Sequence, residues 1–203
     1  MSIIMFAGTG RTGKTVVVNE LIKKAQENNK VAIAIPSVVR GYMQSQGLDS
    51  EKAFYDLSQA DRTRVQKGLI EEYFLNLDRV IENQIPDEMY IFDRSPFDHF
   101  GYAAYNNLSL EDRAHFRQKC HNYLIHHCKR LIHFPWPCPW TNNKDSDAFR
   151  HYDEDKERFV STFISQEINF LVETTGNIKW RTDSSNTLSP KVRADIIYGL
   201  ITR

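Results

Sequence analysis

The chain has 203 residues, and its 26 Lys and Arg residues balance 26 Asp and Glu residues, so the formal net charge at pH 7 is zero. This balance argues against the basic composition typical of proteins that bind nucleic acid, so a nucleic-acid partner is disfavoured. A hydrophobic content of 41% supplies a core, and the length predicts one domain over residues 1–203. Its apolar runs are shorter than the roughly 18 residues that span a bilayer, which predicts no membrane partner.

The three cysteines form no Cys-x-x-Cys pair and leave an odd count. Such a count indicates reduced thiols instead of a disulfide framework, which is typical of the cytoplasm. The first residues, "MSIIMFAGTG", lack the basic start of a secretory signal and have the pattern of a strand. We therefore expect a cytoplasmic protein.

Short apolar runs alternate with longer segments of helical period. The apolar runs predict strands at 2–7, 31–35, 89–93, 130–134 and 177–180, the first four of them largely buried. Helices are expected from residue 14, over 61–85, after Ser109 and from Pro190 onward. The stretch 135–159, rich in proline, tryptophan and charge, interrupts this alternation and predicts a lid near 137–158. The alternation itself predicts an α/β fold with a five-stranded parallel sheet flanked by helices.

Residues 8–15, "GTGRTGKT", fit the pattern GxxxxGK[ST] and lie between a predicted strand and a predicted helix, as the pattern requires. Glycines let several backbone N–H groups approach one phosphate chain, and the helix adds its positive end. We expect Lys14 to contact the terminal phosphates of ATP and Thr15 to help hold Mg²⁺. The predicted nucleotide-binding residues are Gly8, Gly10, Arg11, Thr12, Gly13, Lys14 and Thr15. Together with the sheet, this loop predicts a three-layer P-loop NTPase fold.

A second informative stretch is "YIFDRSPFDHFGYAAY", residues 90–105. Asp93 ends a buried strand, the position from which a carboxylate helps to hold Mg²⁺ or its waters. Arg94 follows it and offers a planar fork of donors to phosphate oxygens. An alternative stays open, in which Asp93 caps the next helix and Arg94 pairs with an acid. Ser95 and Pro96 also have the pattern of a helix N-cap followed by a first-turn proline.

The segment "DRSPFDHFGYA" resembles the DR-x-x-x-D-x-x-x-Y-A segment of a P-loop kinase-like family that includes ribosylnicotinamide kinase domains. It is more distantly similar to the DR motif of thymidylate kinases and the ERS motif of deoxynucleoside kinases. Three further segments resemble the family in the same order along the chain: "AIPSVVRGYM", "LIHFPWPCPW" and "AFRHYDEDKERF". The resemblance implies ATP-dependent phosphoryl transfer. It also implies that Asp98 binds a sugar hydroxyl and that Arg150 of the lid, with Arg158 as a further candidate, contacts the transferring phosphoryl group.

One position departs from the family pattern, which has an acidic residue where this chain has Ser37. A serine hydroxyl does not take a proton near neutral pH without help. Either Asp93 acts as the base, or the acceptor is a phosphate that is already ionised. Arg40 and Arg94 would suit such a monophosphate, so we expect a nucleoside or a nucleoside monophosphate, with a slight preference for the latter. The predicted catalytic residues are Lys14, Asp93, Arg94 and Arg150, and the predicted acceptor-binding residues are Ser37, Arg40, Arg94 and Asp98.

Two other functions stay open at this point. One is a nucleotide-dependent switch or binding ATPase or GTPase, which the serine at position 37 favours. The other is a polynucleotide-end kinase, which would need a basic channel that the balanced charge disfavours. Residues 181–188 are expected either to line the base of the nucleotide or to form an ordinary turn. The sequence does not separate ATP from GTP, and it leaves a homodimer open.

Overall fold

The computed structural model describes residues 2–10, 12–136, 153–175, 180–182 and 188–202. Within them, five strands form one sheet in the order β2-β3-β1-β4-β5, and every neighbouring pair is parallel. The strands are β1 (Ser2–Ala7), β2 (Ala32–Ile35), β3 (Met89–Phe92), β4 (Cys128–His133) and β5 (Trp180–Thr182). The predicted parallel α/β sheet is therefore confirmed.

Eight helices lie in the described parts of the chain. They are α1 (Lys14–Glu27), α2 (Val39–Ser45), α3 (Glu51–Tyr55), α4 (Gln59–Glu82), α5 (Pro96–Tyr105), α6 (Leu110–His127), α7 (Glu154–Thr175) and α8 (Pro190–Ile201). None of these helices is long and apolar enough to cross a membrane.

The alternation of side chains along β1 explains the three layers. Successive strand residues point to opposite faces, so Ile3 and Met5 enter one core while Ile4 and Phe6 enter the other. The first core packs against α4, α5, α6 and α7, and the second packs against α1 and α8. A third, smaller cluster joins α2, α3 and α4 through Met43, Phe54 and Val65.

The structure corrects some details of the predicted elements. Strand β2 is only partly buried because it lies at the edge of the sheet, whereas a largely buried strand was expected. Strand β5 includes Trp180 but continues to Thr182, and residues 177–179 of the predicted strand lie outside the described residues. The short helices α2 and α3 were not predicted. Most of the predicted lid, residues 137–152, also lies outside the described residues.

All five strands run in the same direction, so their carboxyl ends share one edge of the sheet. The segments that leave β1 and β3 begin side by side at this edge, because these strands are neighbours. Ligands of open α/β sheets bind at this edge, in the crevice beyond the carboxyl ends of the strands. The order of the strands therefore brings the glycine-rich loop next to the segment that begins with Asp93.

Candidate functional site

The glycine-rich loop connects β1 to α1 at the carboxyl edge of the sheet. Gly8 and Gly13 have φ values of 151° and 79°, which L side chains rarely adopt. At Gly8 a Cβ atom would also lie 2.5 Å from the carbonyl oxygen of Phe134, so a larger residue does not fit. The described part of the loop, which leaves out Arg11, thus has the close backbone turn on which phosphate binding depends.

Lys14 begins α1 and extends its side chain back across the loop. Its Nζ atom donates hydrogen bonds to the carbonyl oxygens of Gly8 and Thr9, both at 2.6 Å, and to Thr12 Oγ1 at 3.1 Å. Only 6% of the residue is exposed. The ammonium group therefore lies at the centre of the loop, where the phosphates of a nucleotide would take over part of its contacts.

Thr15 and Asp93 meet although they are far apart in sequence. Thr15 Oγ1 donates a hydrogen bond to Asp93 Oδ2 at 2.6 Å. The other carboxylate oxygen, Asp93 Oδ1, is buried and has no hydrogen-bond partner among the described residues. A hydroxyl and a carboxylate side by side are the oxygen ligands that Mg²⁺ prefers, so the pair fits the predicted metal. The N-cap of α5 is Ser95, so the capping role considered for Asp93 is not observed.

Asp98 lies under the glycine-rich loop and contacts its backbone. Its Oδ1 atom accepts a hydrogen bond from Gly8 N at 2.6 Å, and its Oδ2 atom accepts one from Ser95 N at 2.6 Å. The residue has no exposed surface, and burial raises the pKa of its carboxyl group, although Lys14, Arg94 and the two amides oppose this shift. Both carboxylate oxygens of Asp98 therefore accept from backbone amides under the loop. The contact with a sugar hydroxyl that the resemblance implied stays a prediction.

Tyr102 also contacts the loop, whereas its place in the sequence favours core packing over a position facing the acceptor pocket. Gly10 N donates a hydrogen bond to the Tyr102 hydroxyl at 2.9 Å, and this hydroxyl donates to Glu157 Oε2 at 3.1 Å. Burial, reinforced by the Glu157 carboxylate, raises the pKa of Tyr102 well above its usual value, so the hydroxyl stays protonated. Helix α5 thus supports two amides of the loop, one through Asp98 and one through Tyr102.

A pocket of about 510 Å³, including its open mouth, lies beside the loop. Helices α2, α3, α4, α5 and α7 all contribute to its wall, and Arg94 lies in the segment before α5. Two polar atoms in this wall, Gln66 Nε2 and His99 Nε2, are buried and have no hydrogen-bond partner among the described residues. The lining residues are Val39, Met43, Glu51, Phe54, Tyr55, Gln66, Leu69, Arg94, His99, Tyr102, Asn106 and Lys156.

Arg94 stands in the wall of this pocket, with its guanidinium carbon 5.8 Å from the ring centroid of Tyr102. Burial by itself lowers the pKa of Arg94, whereas the Asp98 and Asp93 carboxylates raise it, and the guanidinium group stays charged. The side chain therefore carries its positive charge into the pocket, where it can bind an oxygen of an acceptor or of a phosphate.

Ser37 and Arg40 lie around the start of α2, next to the pocket-lining residue Val39. Ser37 Oγ accepts a hydrogen bond from Val39 N at 3.4 Å. Arg40 lies in the first turn of α2 and is exposed, whereas Val39 of the same helix lines the pocket. The structure therefore brings Arg94 directly into the pocket and leaves Arg40 at its border.

The predicted lid arginine, Arg150, lies outside the described residues. Arg158 is exposed and forms an ion pair with Glu154 at 2.9 Å. The residue that enters the pocket from this segment is Lys156, which is only 1% exposed and lies 3.5 Å from Glu51 and 3.8 Å from Glu157. The run "DEDKERF" has the composition of a solvated helix surface, so the sequence carries no signal that singles out its lysine.

Two buried histidines near the loop make a pH dependence of stability testable. Burial, together with Arg94 and Lys14, lowers the pKa of His99 to about 3. Burial and Lys14 lower the pKa of His133 to about 4. An unfolded histidine has a pKa of about 6.5. As the pH falls below this value, the unfolded chain takes up protons that the folded chain does not bind, so stability is lost.

We expect each of these histidines to contribute about 2 kcal/mol to the loss of unfolding free energy between pH 7.5 and pH 5. Urea denaturation at the two pH values checks this: His99→Gln and His133→Gln should each reduce the loss by about that amount. The exposed His115 provides a control, because His115→Gln should leave the loss unchanged. An equal loss in all four proteins would contradict the assignment of these buried neutral histidines.

The sheet order, the glycine-rich loop and the Thr15–Asp93 pair define a P-loop protein with the fold of P-loop kinases. A family model described as an AAA domain matches residues 3–181, and the chain belongs to this family. No curated protein sequence matches the chain.

Solved structures with a similar fold include deoxyadenosine kinase from M. mycoides. Its structure with the products dCMP and a flexible dCDP has a TM-score of 0.67 and 14% sequence identity, covering 98% of this chain and 98% of that chain. Its structure with bound dATP has a TM-score of 0.61 and 14% identity, with full coverage of both chains. At this level of identity the similarity establishes the shared fold.

Proposed function

We propose that this chain transfers the terminal phosphoryl group of ATP to the hydroxyl group of a small nucleoside. The observation that carries the proposal is the pocket beside the loop, whose wall joins a charged Arg94 to the polar side chains of Gln66 and Asn106 and to aromatic side chains. An uncharged heterocycle with donors and acceptors on its edge suits a wall that is mostly apolar and aromatic with a few polar groups. The phosphoryl donor would lie in the adjacent loop.

The charges in the pocket favour a nucleoside over a nucleoside monophosphate as the acceptor. Lys156 lies between the carboxylates of Glu51 and Glu157, so its charge is already balanced. The charge of Arg94 is stabilised by Asp93 and Asp98 behind it. A doubly charged phosphate would have to compete with these carboxylates, whereas a neutral nucleoside would not. This reverses the slight preference for a monophosphate that the sequence suggested.

The loop, Arg94 and Asp93 would each have a separate role in the reaction. The backbone amides of the loop and Lys14 bind and orient the phosphates, and Arg94 orients the acceptor oxygen. Thr15 and Asp93 would hold Mg²⁺, which when bound neutralises charge that develops on the phosphate oxygens. The serine at position 37 is compatible with this scheme, because phosphoryl transfer depends more on positioning and charge stabilisation than on a strong base. Asp93 is the candidate to accept the hydroxyl proton, since it is the carboxylate at the junction of the loop and the segment that contains Arg94.

A panel of nucleosides and nucleoside monophosphates, each incubated with ATP and Mg²⁺, tests the proposal. We expect ADP release that depends on a nucleoside, with a product whose mass has increased by one phosphate. A reaction without acceptor measures simple hydrolysis. Transfer to monophosphates alone would restore the alternative acceptor class, and hydrolysis without any acceptor dependence would favour the nucleotide-dependent switch. The same panel with GTP in place of ATP, followed through GDP formation, would show whether GTP also serves as the phosphoryl donor.

A further inference from the structure

The contact between Gly10 and Tyr102 connects the two halves of the proposed site. Gly10 N belongs to the loop whose amides would bind phosphate, and here it donates to the Tyr102 hydroxyl at 2.9 Å. Tyr102 also lines the acceptor pocket. One backbone N–H donates one good hydrogen bond, so a phosphate oxygen and the Tyr102 hydroxyl compete for the same donor.

The same hydroxyl continues into the pocket through helix α7. It donates to Glu157 Oε2 at 3.1 Å, and Glu157 is only 6% exposed. Glu157 Oε1 lies 3.8 Å from Lys156 Nζ, which in turn lies 3.5 Å from Glu51 on α3. Lys156 and Glu51 both line the acceptor pocket. A short chain of polar contacts therefore runs from the loop to the far wall of the pocket.

We propose that the Tyr102 hydroxyl occupies the Gly10 amide in place of phosphate, so that nucleotide binding displaces it and thereby rearranges the acceptor pocket. The inference rests on the proposed function, since it requires that a nucleotide binds to the loop. Displacement releases the Tyr102 hydroxyl from the loop, so that Tyr102 and its remaining partner Glu157 can shift together, and with them Lys156. Tyr102 is thus a positioning residue that couples occupancy of the two sites, and the coupling is reciprocal.

Calorimetric titration with ATP and Mg²⁺ tests this proposal without an acceptor. Tyr102→Phe removes the competing hydroxyl and keeps the ring, so its affinity for ATP should rise about three- to tenfold, the worth of one hydrogen bond. Tyr105→Phe is the matched control: Tyr105 lies on the same helix and contacts Asp153 at 3.3 Å. Its affinity should equal that of the wild type. A purely structural role for Tyr102 would lower the affinity, and that result or an unchanged affinity would overturn the proposal.

Hydrogen exchange gives a second readout of the coupling. Addition of ATP and Mg²⁺ should change the hydrogen-exchange rates of the backbone amides in the first two turns of α7. We expect a severalfold change in the wild type and in Tyr105→Phe. The same addition should leave these amides unchanged in Tyr102→Phe, because the connection from the loop to Glu157 is missing. An equal change in all three proteins would overturn the coupling. Absence of ATP binding in the wild type would overturn both this inference and the proposed function, whereas binding without a difference would overturn the inference alone.

Discussion

Lys14→Ala should reduce phosphoryl transfer by at least about 10²-fold while the protein stays folded. The Lys14 ammonium lies at the centre of the loop and is the one loop side chain that can place a full positive charge on the terminal phosphates among the residues that the structure describes. Alanine removes that charge from the transition state, where it is most needed. The measurement is ADP release with the nucleoside that the acceptor panel identifies, together with thermal unfolding followed by circular dichroism.

Lys30→Ala is the matched control for this experiment. Lys30 follows the end of α1 and is exposed, so its loss removes the same charge from the protein but not from the loop. We expect turnover and unfolding temperature to equal those of the wild type. If Lys14→Ala retained the turnover of Lys30→Ala, the assignment of the loop to phosphate binding would be wrong.

Asp98→Asn should weaken ATP binding about tenfold and lower the free energy of unfolding by about 1–3 kcal/mol. The side-chain amide of asparagine has nearly the shape of the aspartate carboxylate, but its nitrogen donates hydrogen bonds and does not accept them. One of the two amides that Asp98 now accepts from, Gly8 N or Ser95 N, would therefore face another donor in a fully buried place. Loss of the Gly8 contact releases the first residue of the loop. Calorimetry with ATP and Mg²⁺ and urea denaturation measure the two effects.

Asp112→Asn is a close control, because Asp112 occupies the same position in its own helix. Asp112 N donates a hydrogen bond to Ser109 Oγ at 3.1 Å at the start of α6, and the Asp112 carboxylate is partly exposed and pairs with Lys67. We expect its replacement to cost at most about 1 kcal/mol of stability and to leave ATP binding unchanged. Equal ATP affinity in Asp98→Asn and Asp112→Asn would show that the carboxylate under the loop does not position it.

The sequence by itself determined the parts of this protein that depend on local chemistry. The glycine-rich loop was predictable because glycines, a lysine and a threonine at fixed spacing have a single efficient use between a strand and a helix. The parallel sheet followed from buried apolar runs that alternate with amphipathic helices. Asp93 was predictable as a partner of Thr15, because both positions lie at the carboxyl edge of strands that such a sheet makes neighbours.

Only the tertiary structure decided which of several similar residues belong to the site. Asp98 and Asp112 both stand three residues after a serine at a helix start, and this local pattern does not distinguish them. The family resemblance singled out Asp98, but for the acceptor and not for the loop. They differ because α5 packs under the loop whereas α6 starts away from it, and this depends on which elements pack together. In the same way, the local pattern around Tyr102 is typical of core packing, and the local pattern around Lys156 is typical of a solvated helix surface. They contact the site because α5 and α7 converge on it from distant parts of the chain.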